Sequence, residues 1–142
     1  MSAVRILVVD DHEIVRRRLS SLLAKRPEFD VISEATDGYQ AVQKSRDLQP
    51  DVVVLDISMP GMSGLETAPQ IRLVAPGAEI LFVSQHDTLS MVREALSTGA
   101  RGYVLKSDAG TDLVNAVLAV SQQKEFLSRK LAHAGADSPT SG

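Results

Sequence analysis

The chain has 142 residues, 44% of them hydrophobic and 23% charged, which suits one globular domain with a real core and excludes disorder for most of its length. It has no cysteine, so disulfides and thiolate chemistry are excluded, and with no apolar run of membrane-spanning length and no signal-peptide layout a cytoplasmic location is expected. A net charge of −3 and only five aromatic residues argue against direct nucleic-acid binding and against base stacking by this chain.

Short runs of Val, Ile and Leu alternate with helical patterns along the sequence. Ile6-Leu7-Val8-Val9 reads as a strand buried on both faces. Ile14, Val15, Leu19, Leu22 and Leu23 then recur at helical spacing until Pro27. Asp30 to Ala35 reads as a second strand, Asp37-Gly38 as a turn and Tyr39 to Leu48 as a second helix. Val52-Val53-Val54-Leu55 is the third strand, followed by the turn-rich loop Met59-Pro60-Gly61-Met62-Ser63-Gly64. A third helix runs to about Val74. Pro69 inside it removes a backbone donor, so the helix is either kinked there or begins late, with Pro69 at its first position. Ile80-Leu81-Phe82-Val83 is a fourth strand. Leu89, Val92 and Leu96 mark a fourth helix that ends at Gly99. Tyr103-Val104-Leu105 is a fifth strand, and Leu113, Val117 and Val120 mark a fifth helix. The order predicts an α/β fold, a doubly wound parallel sheet of five strands with right-handed crossovers. From Gly135 onward the composition is Ala, Asp, Ser, Pro, Thr and Gly, and disorder is expected there.

Four of the strands end on polar residues: Asp10-Asp11, Asp56, Ser84 and Lys106. In a parallel sheet the carboxyl ends share one edge, where open α/β folds bind ligands. Three carboxylates, a hydroxyl and an ammonium are therefore expected to converge from positions nearly a hundred residues apart. A carboxylate can act as a nucleophile toward phosphorus, and oxygen donors suit Mg²⁺. At ~4 Å and an effective dielectric of ~20, each like-charge pair costs on the order of 4 kcal/mol, so a divalent cation is expected to be required for transfer.

These residues, with the Met59–Gly64 loop, resemble the receiver domains of two-component response regulators over roughly residues 4 to 124. The resemblance implies a flavodoxin/CheY-like (βα)5 three-layer sandwich with strand order 2-1-3-4-5. It implies Asp56 as phosphoacceptor, with Lys106 and Ser84 completing the catalytic set, and Mg²⁺ (or Mn²⁺) held by Asp10, Asp11, Asp56 and the backbone carbonyl of Ser58. Ser84 and Tyr103 would form the switch, Tyr103 moving inward as Ser84 is drawn to the phosphate; a plain core role for Tyr103 is the alternative. Ser58 and His86 would flank the phosphate. The implied activity is acceptance of a phosphoryl group from a sensor histidine kinase or phosphotransfer protein, with self-phosphorylation and slow self-dephosphorylation rather than enzyme turnover.

Asp11-His12-Glu13, the run from Gly99 to Lys106, and Phe126-Leu127-Ser128 are similar to the NarL/FixJ-like subfamily, which carries a LuxR-type helix-turn-helix domain. Residues 1–125 are expected to form the receiver and 126–142 the linker start and a disordered tail. The output would be transcription through a DNA-binding domain absent from this chain; the alternative is a stand-alone receiver or phosphorelay intermediate. A weak homodimer through the apolar residues Leu113, Val114, Val117 and Leu118 is one reading, and a wide buried face is the other. Arg16-Arg17-Arg18 reads as a solvated helix face. A dehalogenase-like phosphatase would need a second Asp where Ser58 stands, and a flavodoxin would need a hydroxyl- and glycine-rich loop where Asp10, Asp11 and Glu13 stand.

Overall fold

A computed structural model describes residues 3–131. Strands and helices alternate through them: β1 (Val4–Val9), α1 (Glu13–Ala24), β2 (Phe29–Ala35), α2 (Gly38–Leu48), β3 (Val52–Leu55), α3 (Gly64–Val74), β4 (Glu79–Ser84), α4 (Leu89–Ser97), β5 (Gly102–Leu105), α5 (Ala109–Ser121) and β6 (Phe126–Leu127). All paired strands are parallel, in the order β2-β1-β3-β4-β5-β6. The order reverses between β1 and β3, where such sheets open a crevice at their carboxyl edge.

The two-residue period of the central strands divides the core into two layers. Leu7, Val9, Val53, Leu55, Ile80, Phe82, Tyr103 and Leu105 face one side, where they meet Ala41 of α2, Ala68 and Ile71 of α3, and Val92 and Ala95 of α4. Ile6, Val8, Val52, Val54, Leu81, Val83 and Val104 face the other, packed on α1 and α5 through Leu19, Leu23, Leu113, Ala116, Val117 and Val120. Burial on both faces explains why these strands are unbroken apolar runs.

The sheet has six strands rather than the expected five. Phe126 and Leu127 pair in parallel with Gly102 and Tyr103. Ser128 is fully buried; its Oγ accepts a hydrogen bond from the Leu105 N–H at 2.9 Å, and its N–H donates to the Tyr103 carbonyl at 3.0 Å. Two residues are too few to show a period, and what holds them is a pairing with a distant strand. The tail from Gly135 lies outside the described residues.

Two further expectations are corrected. α3 begins at Gly64, not at Pro69. Ser63 supplies a reciprocal cap, its Oγ accepting from the Glu66 N–H at 3.2 Å while Glu66 Oε1 accepts from the Ser63 N–H at 3.3 Å. That cap starts the helix five residues before Pro69, which sits on an exposed position. Ile14, read as part of the buried stripe of α1, is 84% exposed. It lies in the first turn of the helix, ahead of the buried Leu19 and Leu23.

The start of α3 is clamped to the end of β3. The Gly64 N–H donates to the Ile57 carbonyl at 2.7 Å, and a Cβ on Gly64 would lie 2.0 Å from the Asp56 carbonyl oxygen and 2.9 Å from the Ile57 Cα. These are backbone atoms, which cannot swing aside. Gly64→Ala is therefore expected to lower stability by about 3 kcal/mol or more, whereas Gly77→Ala, with open space around it, should stay within about 0.5 kcal/mol. Urea denaturation of the two variants checks this; equal midpoints would contradict the clamp.

Candidate functional site

The register of the sheet brings the polar strand ends to one level. Val9 is opposite Leu55, Leu55 opposite Phe82, and Ser84 opposite Leu105. The next residues are Asp10, Asp56 and Lys106, and the ladder continues into them. The Asp56 N–H donates to the Val9 carbonyl and the Asp10 N–H to the Ala35 carbonyl, both at 3.1 Å. Backbone pairing thus pins Asp10 and Asp56 side by side at 0% and 2% exposure, where solvent screens their charges poorly.

Lys106 answers both carboxylates. Its Nζ lies 3.0 Å from Asp10 Oδ2 and 3.3 Å from Asp56 Oδ2. Asp11 completes the acidic group. Buried oxygens of all three residues, Asp10 Oδ2, Asp11 Oδ1 and Asp56 Oδ2, have no partner in hydrogen-bond geometry, so the ammonium meets two of them only at ion-pair contact. Three carboxylates against one ammonium leave two negative charges over. One donor atom from each of Asp10, Asp11, His12 and Asp56 fits within a group whose members are all within 4.8 Å of one another. Closely spaced carboxylate oxygens with an excess of two charges fit Mg²⁺ or Mn²⁺.

The electrostatics follow from this crowding. Burial, and next the Asp10 charge, push the Asp56 carboxyl above its ordinary pKa; Lys106 and the Ile57 N–H oppose the shift. Burial would lower the Lys106 pKa, but its close pairing with the Asp10 and Asp56 carboxylates prevails, and it is raised. Stability contributed by Lys106 is therefore present below its unfolded-state pKa and is lost as pH rises through the folded value.

The other expected residues stand around this group. Ser84 is fully buried at the end of β4, and its Oγ accepts from the His86 N–H at 3.1 Å. Tyr103 is also fully buried; its hydroxyl donates to the His86 carbonyl at 2.7 Å, and burial raises its pKa. Ser58 is exposed on the loop after β3, its Oγ 2.8 Å from His86 Nε2. His86 thus ties the loops after β3 and β4 to each other and to Tyr103.

Two participants escaped the sequence reading. Arg16 is not solvated like its neighbours Arg17 and Arg18: its side chain is 13% exposed, with Nη1 donating to the Asp10 carbonyl and Nε to Glu34 Oε1, each at 2.9 Å. A charge run hides a member with a different job, and only its position, one helical turn after His12, hinted at it. His12 was singled out for its place in a motif, not as a donor. Its adjacency to Asp10-Asp11 was the available signal.

Residues 6–118 match the family described as response regulator receiver domain. The transcriptional regulatory protein DegU of Brevibacillus brevis is 35% identical over 130 residues, 92% of this chain and 55% of that protein. The transcriptional regulatory protein LnrK of Bacillus subtilis is 38% identical over 117 residues, 82% of this chain and 53% of that protein. A crystal structure of a LuxR-family two-component response regulator from an Aurantimonas species superposes with a TM-score of 0.91 at 36% identity, covering 96% of this chain and 97% of that one. The chain spans about half the length of the curated relatives it matches.

The crowded carboxylates predict a stability effect in metal-free protein. Asp56→Asn removes a buried charge that repels Asp10 and should raise stability at neutral pH by about 1–3 kcal/mol, the usual penalty of an unsatisfied buried group. Because the folded-state pKa of Asp56 is raised, its ionised form is the one disfavoured by folding. The gain should shrink as pH falls through that value toward the unfolded carboxylate range. Urea midpoints in chelator across acid to neutral pH report it. A variant less stable than wild type at neutral pH would contradict the assignment.

Proposed function

Because the chain belongs to the response regulator receiver family, we propose that Asp56 accepts a phosphoryl group from a sensor histidine kinase or phosphotransfer protein and that the result is a change in what the domain binds. The observation that carries this reading is Lys106 shared between the buried carboxylates of Asp10 and Asp56, with Asp11 grouped beside them. As a P–O bond forms to Asp56, the bond from phosphorus to the donor breaks. Lys106 opposes the upward pKa shift of Asp56 and so helps keep the nucleophile ionised; once a phosphoryl group is present, the same ammonium can pair with one of its oxygens. When bound by Asp10, Asp11, Asp56 and the Ser58 backbone carbonyl, Mg²⁺ or Mn²⁺ would supply the positive charge that lets an anionic donor approach.

Ser84 and Tyr103 carry the signal outward in this reading. The Ser84 oxygen accepts from His86, so its O–H is free to donate to a second phosphoryl oxygen. Drawing Ser84 toward that oxygen pulls on His86 and hence on the Tyr103 hydroxyl. Tyr103 already lies inside the core, so the switch amounts to a shift between populations of this buried arrangement and another. The surface of α4, β5 and α5 should respond most.

The output we infer is transcriptional control, supported by relatives that are named transcriptional regulators. The chain itself would act as a phosphoacceptor with self-phosphorylation and slow self-dephosphorylation, in the cytoplasm, without touching nucleic acid or membrane. Among the described residues no helix is long and apolar enough to cross a membrane. The broad apolar face of α5 is mostly core: Leu113 and Val117 are fully buried, and Val114 and Leu118 pack partly buried against the same cluster. Their partly exposed surface supports no more than a weak homodimer.

Treatment with a small acyl phosphate or a phosphohistidine donor should add the mass of one phosphate, labile to hydroxylamine and dependent on Mg²⁺. Intact-mass analysis reads the gain. An unchanged wild-type mass, or the same gain in Asp56→Ala, would rule out the acceptor assignment.

A further inference from the structure

His12 is the N-cap of α1, with extended backbone (φ −90°, ψ 114°), yet its side chain makes no capping hydrogen bond. Asn, Asp, Ser or Thr is the usual choice there, because a short oxygen-bearing side chain can accept from the first-turn N–H groups. The imidazole is turned instead toward the acidic group. Its Nδ1 lies 3.3 Å from Asp11 Oδ1 and 3.5 Å from Asp10 Oδ1, while two-thirds of the side chain stays exposed. The His12 backbone N–H also donates to Asp10 Oδ1 at 2.9 Å, which fixes the origin of the side chain against that carboxylate.

Those spacings match ligands that share one ion. Donors ~2.1 Å from a first-row divalent metal lie ~3.0 Å apart when adjacent in an octahedron and ~3.4 Å apart in a tetrahedron. One donor each from Asp10, Asp11, His12 and Asp56 falls within the 4.8 Å group, and three buried carboxylate oxygens there lack hydrogen-bond partners. Imidazole nitrogen adds little for Mg²⁺, a hard ion that takes oxygen and keeps its waters, but it is a favoured donor for Co²⁺, Ni²⁺ and Zn²⁺.

We propose that His12 is an additional protein ligand, the one nitrogen donor, that makes this a mixed nitrogen and oxygen site, one that selects borderline transition ions over Mg²⁺. Such an ion would compete with Mg²⁺ for the same carboxylates and so govern whether the site is charged with the metal that supports phosphoryl transfer. The inference rests on the reading of Asp10, Asp11 and Asp56 as a metal centre. It adds a residue that decides which metal is held.

The test compares Co²⁺ and Mg²⁺ binding to the full chain at a pH of about 7.5, where an unperturbed imidazole is mostly neutral. Calorimetry gives both affinities, visible absorption reports the donors around Co²⁺, and ring-proton resonances report His12 directly. His12→Asn keeps a good helix cap and removes the imidazole. The ratio of Co²⁺ to Mg²⁺ affinity should fall at least about tenfold in His12→Asn, the Co²⁺ spectrum should change, and the wild-type His12 ring resonances should be strongly shifted by Co²⁺. An unchanged ratio and spectrum would overturn the ligand assignment and leave His12 as a neighbour of Asp10 and Asp11 with no part in metal binding. Failure of wild type to bind either ion would overturn the metal-centre reading and this proposal with it.

Discussion

Three aspartates held at one edge of a parallel sheet, with a single lysine ammonium among them, set the terms for the rest of this structure. Asp10 and Asp56 cannot move apart, because each follows its strand directly and is bound by its own N–H to the neighbouring strand. They are poorly hydrated, because both are buried. Repulsion between them is therefore built into the fold, and Lys106 offsets only part of it. A site of this kind attracts positive charge, and it holds its carboxylates in low-dielectric surroundings.

The elements around the site give its charge state a route to the surface. The His86 carbonyl accepts from the Tyr103 hydroxyl, its Nε2 shares a hydrogen bond with Ser58 Oγ, and its N–H donates to Ser84 Oγ, so the loop after β4 is tied to both the loop after β3 and the middle of β5. From β5 the connection runs on. Ser128 holds the backbone of Leu105 and Tyr103, and Leu131 is buried in the same core layer as Tyr103. Lys106 follows Leu105 directly. Whatever shifts the end of β5 is thus felt by residues 126–131.

Much of this was legible in the sequence because burial on both faces writes central strands as unbroken apolar runs. Ile6–Val9, Val52–Leu55 and Ile80–Val83 announce themselves, and the residue after each run is then a residue of the sheet edge. Asp10, Asp56, Ser84 and Lys106 could be placed together on that ground alone. What escaped depends on contacts between distant segments. Phe126-Leu127 is too short to carry a period and forms a strand only because β5 offers a free edge. Arg16 resembles Arg17 and Arg18 in type, and only the fold decides that it alone reaches the Asp10 carbonyl. Ile14 keeps the helical spacing of its neighbours but is exposed. Pro69 suggested a kink or a late helix start, and the Ser63–Glu66 cap starts the helix early.

The charge imbalance at the sheet edge is tested most directly by thermal denaturation as a function of Mg²⁺ concentration, with NaCl added to hold ionic strength constant. An ion that binds only the folded site stabilises it by about 1.4 kcal/mol per tenfold increase above its dissociation constant. The midpoint of wild-type protein should accordingly climb with the logarithm of Mg²⁺ concentration and should not climb with the matched NaCl series. A midpoint that stays flat through the millimolar range, or that moves equally with NaCl, would show that the carboxylates at this edge do not form a divalent-cation site.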